Sequence, residues 1–409
     1  MSRSIYGKVT DWTSDFDHAD PEYNERVFEI WNDLRRRCPV AHTTRYDGAW
    51  LPVTHAHVRE IAYDVERFNS RGVIVTTARP DAPGPIGDAP PITSDPPFHA
   101  AARRLLLPPF APKVIARRAD EIRAVCRARL DAIGRVDPGT TVVDAAVAYA
   151  QHIPVTIIAR MLGFPADDDE IFREFVHAIV EAVNTEPAVQ EDAGRRLDDY
   201  LDRQIEAHER EPREDVTTYL LEARLFGEPL SREQVRGSMA LLLLAGIDTT
   251  WSAIGSSLWH LASHPADLTR LVAEPQLMPT AIEEFLRAYA PVTMARMVAV
   301  SHDFHGHAMQ EGDWVLLPFP AANRDPAVFA DADIVRIDRA ENRHAAFGLG
   351  AHRCIGSNLA RLEMTIAIEE FLARFPRFEL ADPPAVVWSI GQVRGPRRLR
   401  VRILEAREP

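Results

Sequence analysis

Cys354 stands in Phe347-Gly-Leu-Gly350-Ala-His352-Arg353-Cys354-Ile-Gly356, a lone thiol flanked by glycines, after a turn and ahead of a helical stretch from Ile355 to about Ala373. A sulfur just before a helix start receives the dipole and unpaired N–H groups of the first turn, which favour its ionised form. A thiolate held that way reads as the axial ligand of a haem iron. Gly350 and Gly356 let the backbone fold tightly under a flat macrocycle, where a Cβ would collide with the turn or the ring. Phe347 packs beside the sulfur and limits water. A second constellation, Ala245-Gly246-Ile-Asp248-Thr249-Thr250, lies mid-way along a long apolar stretch. A helical glycine costs about 1 kcal/mol relative to alanine, so something other than helix propensity governs this segment. Gly246 lets a ligand approach the backbone closely, and a threonine hydroxyl that takes the i−4 carbonyl leaves room for a small molecule such as O2.

The cysteine decapeptide resembles the haem-binding loop of the cytochromes P450, Phe-x-x-Gly-x-His/Arg-x-Cys-x-Gly, at every specified position. The resemblance runs from about Glu22 to Val401, nearly the whole chain. It implies haem b with Cys354 as the iron ligand, and cofactor contacts from Ala245, Gly246, Phe347 and Gly356. It also implies Asp248 as the acid of a proton shuttle and Thr249 as the hydrogen-bond donor that stabilises the hydroperoxo intermediate. His99 and Arg103, one helical turn apart, match a pair that holds the haem propionates; Arg296 and His352 match two further contacts. Ala281-Ile-Glu-Glu284-Phe-Leu-Arg287-Ala-Tyr-Ala-Pro291 resembles the structural Glu-x-x-Arg helix, whose third member falls on Arg339. The Phe-Asp pair usual just upstream of that arginine is replaced by Val335-Arg336.

Around these motifs the periodicities predict a mainly α protein with minor β, residues 1–409 forming a single P450 domain. A helix is expected over about 24–37, and short strands over Ala41–Arg45 and Trp50–Val53. A proline-rich loop at about 70–97 covers the substrate cavity in the family. Mostly helical segments follow from Phe98 to Leu162, and two lid helices lie within about 167–208. The long helix spans about 231–264, opened by Ser231 as its cap and stopped by Pro265. Short strands are expected at Val298–His302, Trp314–Pro318 and Leu399–Ile403. Position alone nominates Val73, Ile74, Val176, Ile179, Leu241, Leu244, Val292, Thr293, Met294 and Ile390 for the substrate pocket, an apolar set that implies a mostly apolar ligand.

The net charge of −13 argues against nucleic acid as a partner, because counterion release needs a basic face. Three cysteines, far apart and odd in number, give neither a disulfide framework nor a paired metal spacing. The N-terminal residues are polar and acidic, and the longest apolar run, Met239–Ile247, is about half a bilayer span, so no membrane segment and a cytoplasmic location are expected. Arg103, Arg104, Lys113, Arg117 and Arg118, together with Arg343, Arg353 and Arg361, form two basic groups. If they meet in space they give the docking face that an acidic ferredoxin or flavodoxin, fed by an NAD(P)H reductase, uses in similar enzymes. No second cysteine set follows Cys354, so electrons are expected from such separate partners. The resemblance implies a monooxygenase that inserts one oxygen atom of O2 into a small-to-medium organic substrate by hydroxylation or O-dealkylation. A peroxide-driven peroxygenase is the alternative within the fold, against which the intact Asp248-Thr249 pair argues. A non-catalytic haem sensor would use neither that pair nor a lid.

Overall fold

The computed structural model describes residues 6–75, 89–181, 187–389 and 391–408. Its axis is the helix Arg232–Ser263, 32 residues long. Ser231 Oγ accepts the Gln234 N–H at 3.2 Å and Gln234 Oε1 accepts the Ser231 N–H at 3.0 Å, a reciprocal cap that fixes where the helix starts. The helix ends at His264, and Pro265 opens the next helix. By length and composition it could cross a membrane, yet 83% of its most apolar window is buried inside the fold. The contiguous apolar run understates this helix because small and hydroxylated residues continue its buried faces: Ser252, Ala253, Gly255, Ser256 and Ser257 are all buried.

His152–Met161, Pro187–Arg210 and Ser357–Arg374 pack around this axis and share its apolar core. The last of them starts at Ser357, two residues after the expected Ile355, because Cys354 and Ile355 remain in the loop that leads to it. Ala119–Ala132 lies against it, with Arg127 Nε 2.8 Å from Glu370 Oε2 and Arg123 on the same carboxylate. The segment expected to form a lid contains Asp169–Val176, a wider turn at His177–Glu181, and Pro187–Arg210. The expected break between the lid helices, much of the proline-rich loop, and Ile390 lie outside the described residues.

A five-stranded sheet runs in the order Val40–Thr43, Ala49–Pro52, Trp314–Pro318, Thr293–Val298 and Phe68–Asn69. Trp314–Pro318 is parallel to Ala49–Pro52 and antiparallel to Thr293–Val298, with Trp314 opposite Met297 and Pro318 opposite Thr293. The strand expected at Val298–His302 therefore ends where it was thought to begin. Residues 295–298 are buried on both faces, so no polar alternation marks that strand in the sequence. Arg377–Leu380, Arg400–Glu405 and Val142–Asp144 form a second sheet, and Val387–Trp388 pairs with Pro396–Arg398 in a C-terminal hairpin. That hairpin rests directly on the central helix. A Cβ on Gly395 would lie 2.3 Å from Ser252 Cβ, and one on Gly255 would lie 2.9 Å from Pro396 Cγ.

Candidate active site

One cavity, of about 240 Å³, lies between the central helix and the cysteine loop. Leu241, Leu242, Ala245, Gly246, Thr249 and Thr250 line it from the helix, spaced i, i+1, i+4, i+5, i+8 and i+9 along one face. From the opposite side come Phe347, His352, Cys354 and Gly356. The Cys354 N–H donates to the Phe347 carbonyl at 2.8 Å, closing the loop that presents the sulfur. The residue is open to this internal space but shut off from bulk water. Burial accordingly pushes its thiol up, against the Gly356 N–H and the charges of Arg103, Arg353 and Arg361, which pull it down. A bound haem iron would add the positive charge that favours the thiolate at this buried position.

The two loop glycines serve different ends. Gly350 has φ +69°, and a Cβ there would meet the Ala62 carbonyl oxygen at 2.3 Å, so it lets the loop pass the end of His55–Tyr63 rather than approach a macrocycle. A Cβ on Gly356 would meet Cys354 Sγ at 3.8 Å, an ordinary contact. Gly246 does line the cavity, but its Cβ position falls 3.0 Å from Ile158 Cγ1, so helix packing also favours glycine there.

On the helix side, Thr249 Oγ1 donates to the Ala245 carbonyl at 2.9 Å. Asp248 is 1% exposed, and Arg397 of the C-terminal hairpin donates to its Oδ1. Arg397 also reaches Ser252 Oγ at 2.9 Å and stacks 4.4 Å from the Trp251 ring. Sequence reasoning missed this arginine; it lies 149 residues from its partner, with no local signal to mark it.

Around the rim lie cations and donors with too few acceptors. Arg296, 5% exposed, donates to its own neighbour's carbonyl, that of Ala295 at 2.7 Å, and has no other hydrogen bond among the described residues. Burial lowers its pKa to about 10. Arg103 lines the cavity beside it. His99 Nε2 is buried without a hydrogen-bond partner among the described residues, and its ring stands 4.2 Å from that of His352. His352 Nε2 is 2.9 Å from Ser70 Oγ, and burial with the nearby Arg296, His99 and Arg103 charges holds its pKa down at about 2. Two guanidinium groups and an orphaned imidazole nitrogen at one cavity edge fit the carboxylates of a haem, and the space between Cys354 and Thr249 fits its ring.

Behind the cysteine loop, Glu284 and Arg287 are both fully buried and bonded at 2.8 and 2.9 Å. Arg339 Nε joins Glu284 Oε2 at 2.9 Å, Asn342 Nδ2 at 3.1 Å, and the Arg336 N–H takes the other oxygen at 2.8 Å. Arg287 and Arg339 also hold the carbonyls of Asn323, Ala332, Ile334 and Ala330. A neighbouring carboxylate, Glu283, is chelated by Arg361 from the helix after Cys354.

The family description "Cytochrome P450" matches residues 188–386. The polyketide biosynthesis cytochrome P450 PksS of Bacillus subtilis is 31% identical over 295 residues, 72% of each chain. The chain belongs to the cytochrome P450 family. As a P450 it is a haem-binding monooxygenase of the bacterial type. The mycinamicin IV hydroxylase/epoxidase of Micromonospora griseorubida is 32% identical over 382 residues, 91% of this chain and 94% of that one. A Bacillus megaterium P450 solved with testosterone superposes with a TM-score of 0.86 at 28% identity, covering 93% of this P450 and 99% of that chain.

The nominated pocket residues divide by the face they occupy. Leu241, Val292 and Met294 line the cavity. Leu244 falls on the other side of the helix, in the apolar core with Val176 and Ile179. Thr293 alternates away from Val292 and Met294 and lines a separate small recess with Arg394. Val73 and Ile74 pack behind Ile92 and Met294. Among the cavity residues that the sequence reading did not nominate, Glu363 is the acidic one: it is 1% exposed on the helix after the cysteine, with burial raising its pKa to about 8.

Proposed function

We propose that this P450, acting as one catalytic domain in the cytoplasm, inserts an oxygen atom from O2 into a mostly apolar, small-to-medium organic substrate by hydroxylation or O-dealkylation. Electrons come from a separate ferredoxin or flavodoxin with its NAD(P)H reductase. The observation that carries the reading is the placement of Cys354 and Thr249 on opposite walls of one cavity, with Asp248 buried beside the threonine. Haem b, held through Cys354, supplies the activation of dioxygen; the chain supplies position and protons.

Arg296 and Arg103 would neutralise the carboxylates of the cofactor, which the apolar cavity cannot solvate, and the neutral rings of His99 and His352 would add hydrogen bonds rather than charge. Thr249 keeps its hydrogen on the Ala245 carbonyl in the resting state, so its oxygen lone pairs are available to accept and hand on a proton. Asp248 brings that proton inward by leaving Arg397, whose second contact to Ser252 keeps the guanidinium in place meanwhile. Ile92, Leu241, Val292 and Met294 exclude water and select carbon skeletons rather than ions. Relatives described as a vitamin D3 dihydroxylase and a mycinamicin IV hydroxylase/epoxidase support an organic substrate rather than an ion.

Exposed Arg104, Lys113, Arg117 and Arg353 form the face that receives the acidic electron donor. Asn358 Nδ2, 3.2 Å from the Phe110 carbonyl, ties the segment before Lys113 to the helix after Cys354.

The test is a visible-spectrum titration of the purified ferric enzyme with terpenoids, substituted aromatics, fatty acids and steroids. A shift to high spin with one class supports the reading and names the class; a spectrum unmoved by every class counts against an apolar-substrate monooxygenase.

A further inference from the structure

The basic residues near the cysteine loop do not share one environment. Arg104, Lys113, Arg117 and Arg353 are exposed, whereas Arg361 lies against the loop itself, its guanidinium carbon 4.4 Å from the centre of the Phe347 ring. Phe347 lines the cavity beside Cys354, and its carbonyl accepts the Cys354 N–H at 2.8 Å. One aromatic residue therefore touches both a fixed cation and the backbone that presents the sulfur. The cation is clamped by Glu283 of the Met278–Ala288 helix, whose two oxygens lie 2.6 Å from Arg361 Nε and 2.8 Å from Nη2, a paired contact that fixes the plane of the guanidinium. His344 completes the unit. Its Nδ1 accepts the Ala346 N–H at 3.1 Å, so the hydrogen it offers is on Nε2, 3.1 Å from Glu283 Oε2. The imidazole is neutral in this arrangement, which leaves Arg361 and Glu283 as the two charges. Their side chains are 30% and 31% exposed, and a partly exposed ion pair contributes little to stability, so its alignment on Phe347 calls for another account. The charge of Arg361 also acts on Cys354, favouring its anionic form.

We infer that Arg361 is a positioning residue that tunes the reduction potential of the haem iron: its cation, aligned by Glu283 on the face of Phe347, favours the ferrous state, and the Glu283 carboxylate partly offsets it. This rests on the haem-thiolate reading above and extends it from what binds the iron to what decides when the iron accepts an electron. Charge and water exclusion around a thiolate ligand are levers by which a protein shifts the potential of its metal. A nearby cation stabilises the added electron, and partial exposure to solvent keeps the effect moderate.

The experiment is a reductive titration of the purified holoenzyme with dithionite and redox mediators, followed by the visible spectrum, with no protein electron donor present, so that docking plays no part. Arg361→Met is expected to lower the ferrous-to-ferric equilibrium constant by at least about threefold. Arg361→Lys, which keeps the charge, should stay closer to the wild type. Glu283→Gln keeps the shape of the clamp and removes its negative charge. It should raise the same constant by at least about threefold, because the Phe347 face and the Ser357 carbonyl, 3.5 Å from Nη1, still hold the cation. Opposite signs are the signature, since a merely structural clamp would let Phe347 loosen in either variant and move both constants the same way. Shifts of one sign, or a potential unmoved in both, overturn the assignment. If Arg361→Met does not retain haem, the Glu283→Gln shift decides alone, a rise supporting the assignment and a fall or no change overturning it; loss of haem from both variants makes the pair structural and overturns it too. The ferrous carbon monoxide spectrum separates the two levels of failure. A wild type without the thiolate signature refutes the haem-thiolate reading itself, whereas an intact signature with the wrong shifts refutes only the role of Arg361.

Discussion

Thr249 and Glu363 face the same cavity with opposite chemical problems. Thr249 has a neighbour for its hydrogen, the Ala245 carbonyl, and open space on its other side. Replacing it by alanine removes the alcohol without touching any haem contact, so Thr249→Ala should retain full cofactor content. Its yield of product per NAD(P)H should fall by at least about tenfold, with the balance appearing as hydrogen peroxide. Equal coupling in parent and variant would remove Thr249 from the relay. Glu363 is buried, and that burial raises its pKa from an ordinary 4.5 to about 8. The folded state then binds this proton more tightly than the unfolded chain, so its contribution to stability declines as pH rises between about 4.5 and about 8. Glu363→Gln removes that decline. Melting curves should show the variant gaining on the parent from pH 5 to pH 8, and two parallel pH profiles would mean that the carboxyl is neutralised in some other way.

At the scale of elements, the Glu284–Arg287–Arg339 network joins the Met278–Ala288 helix to the irregular chain before the cysteine loop through carbonyls that no regular structure satisfies. Removing one cation leaves Glu284 buried with an incomplete partner set. Arg339→Met should therefore cost about 3–5 kcal/mol and lower haem occupancy, measured by denaturant unfolding and by the haem-to-protein absorbance ratio. A loss below about 1 kcal/mol would make Arg339 a bystander. This network was legible through the family resemblance alone: a Glu and an Arg three apart on one helix read by themselves as a surface ion pair, and Arg339, three residues before Asn342, matched the third member although Val335-Arg336 departs from the usual pattern. The central helix was legible to within a residue because Ser231, Gln234 and Pro265 are local signals. Other features are set by tertiary contact. Arg397 reaches Asp248 only because Gly395, Gly255 and Ser252 let the C-terminal hairpin lie on the helix. Thr293–Val298 has no alternation to announce a strand, and whether Leu244 or Thr293 faces the cavity depends on a rotation that apolar composition does not encode. Gly350 illustrates the same limit: its need for φ +69° is local, but the Ala62 carbonyl that forbids a side chain comes from a distant helix.

At the scale of the whole molecule, the proposed docking face sets four exposed basic side chains, Arg104, Lys113, Arg117 and Arg353, on an acidic chain. Its net charge of −13 disfavours an acidic partner at long range, so productive docking must rely on the local group of Arg104, Lys113, Arg117 and Arg353. Electron transfer from an acidic ferredoxin should therefore slow with salt as the screening length shortens toward about 8 Å at physiological ionic strength. Lys113→Glu with Arg117→Glu should slow it further without altering the spectrum. A rate indifferent to both would place the docking face elsewhere. The cavity, the acid–alcohol pair and this face together make one claim, that the oxygen entering product comes from dioxygen reduced by delivered electrons. The most direct measurement is turnover of a spin-shifting substrate under heavy-oxygen-labelled dioxygen, with a ferredoxin, its reductase and NAD(P)H, and catalase present to remove peroxide. The account predicts one labelled oxygen atom in each product molecule; unlabelled product, or product that vanishes when catalase is added, would contradict it.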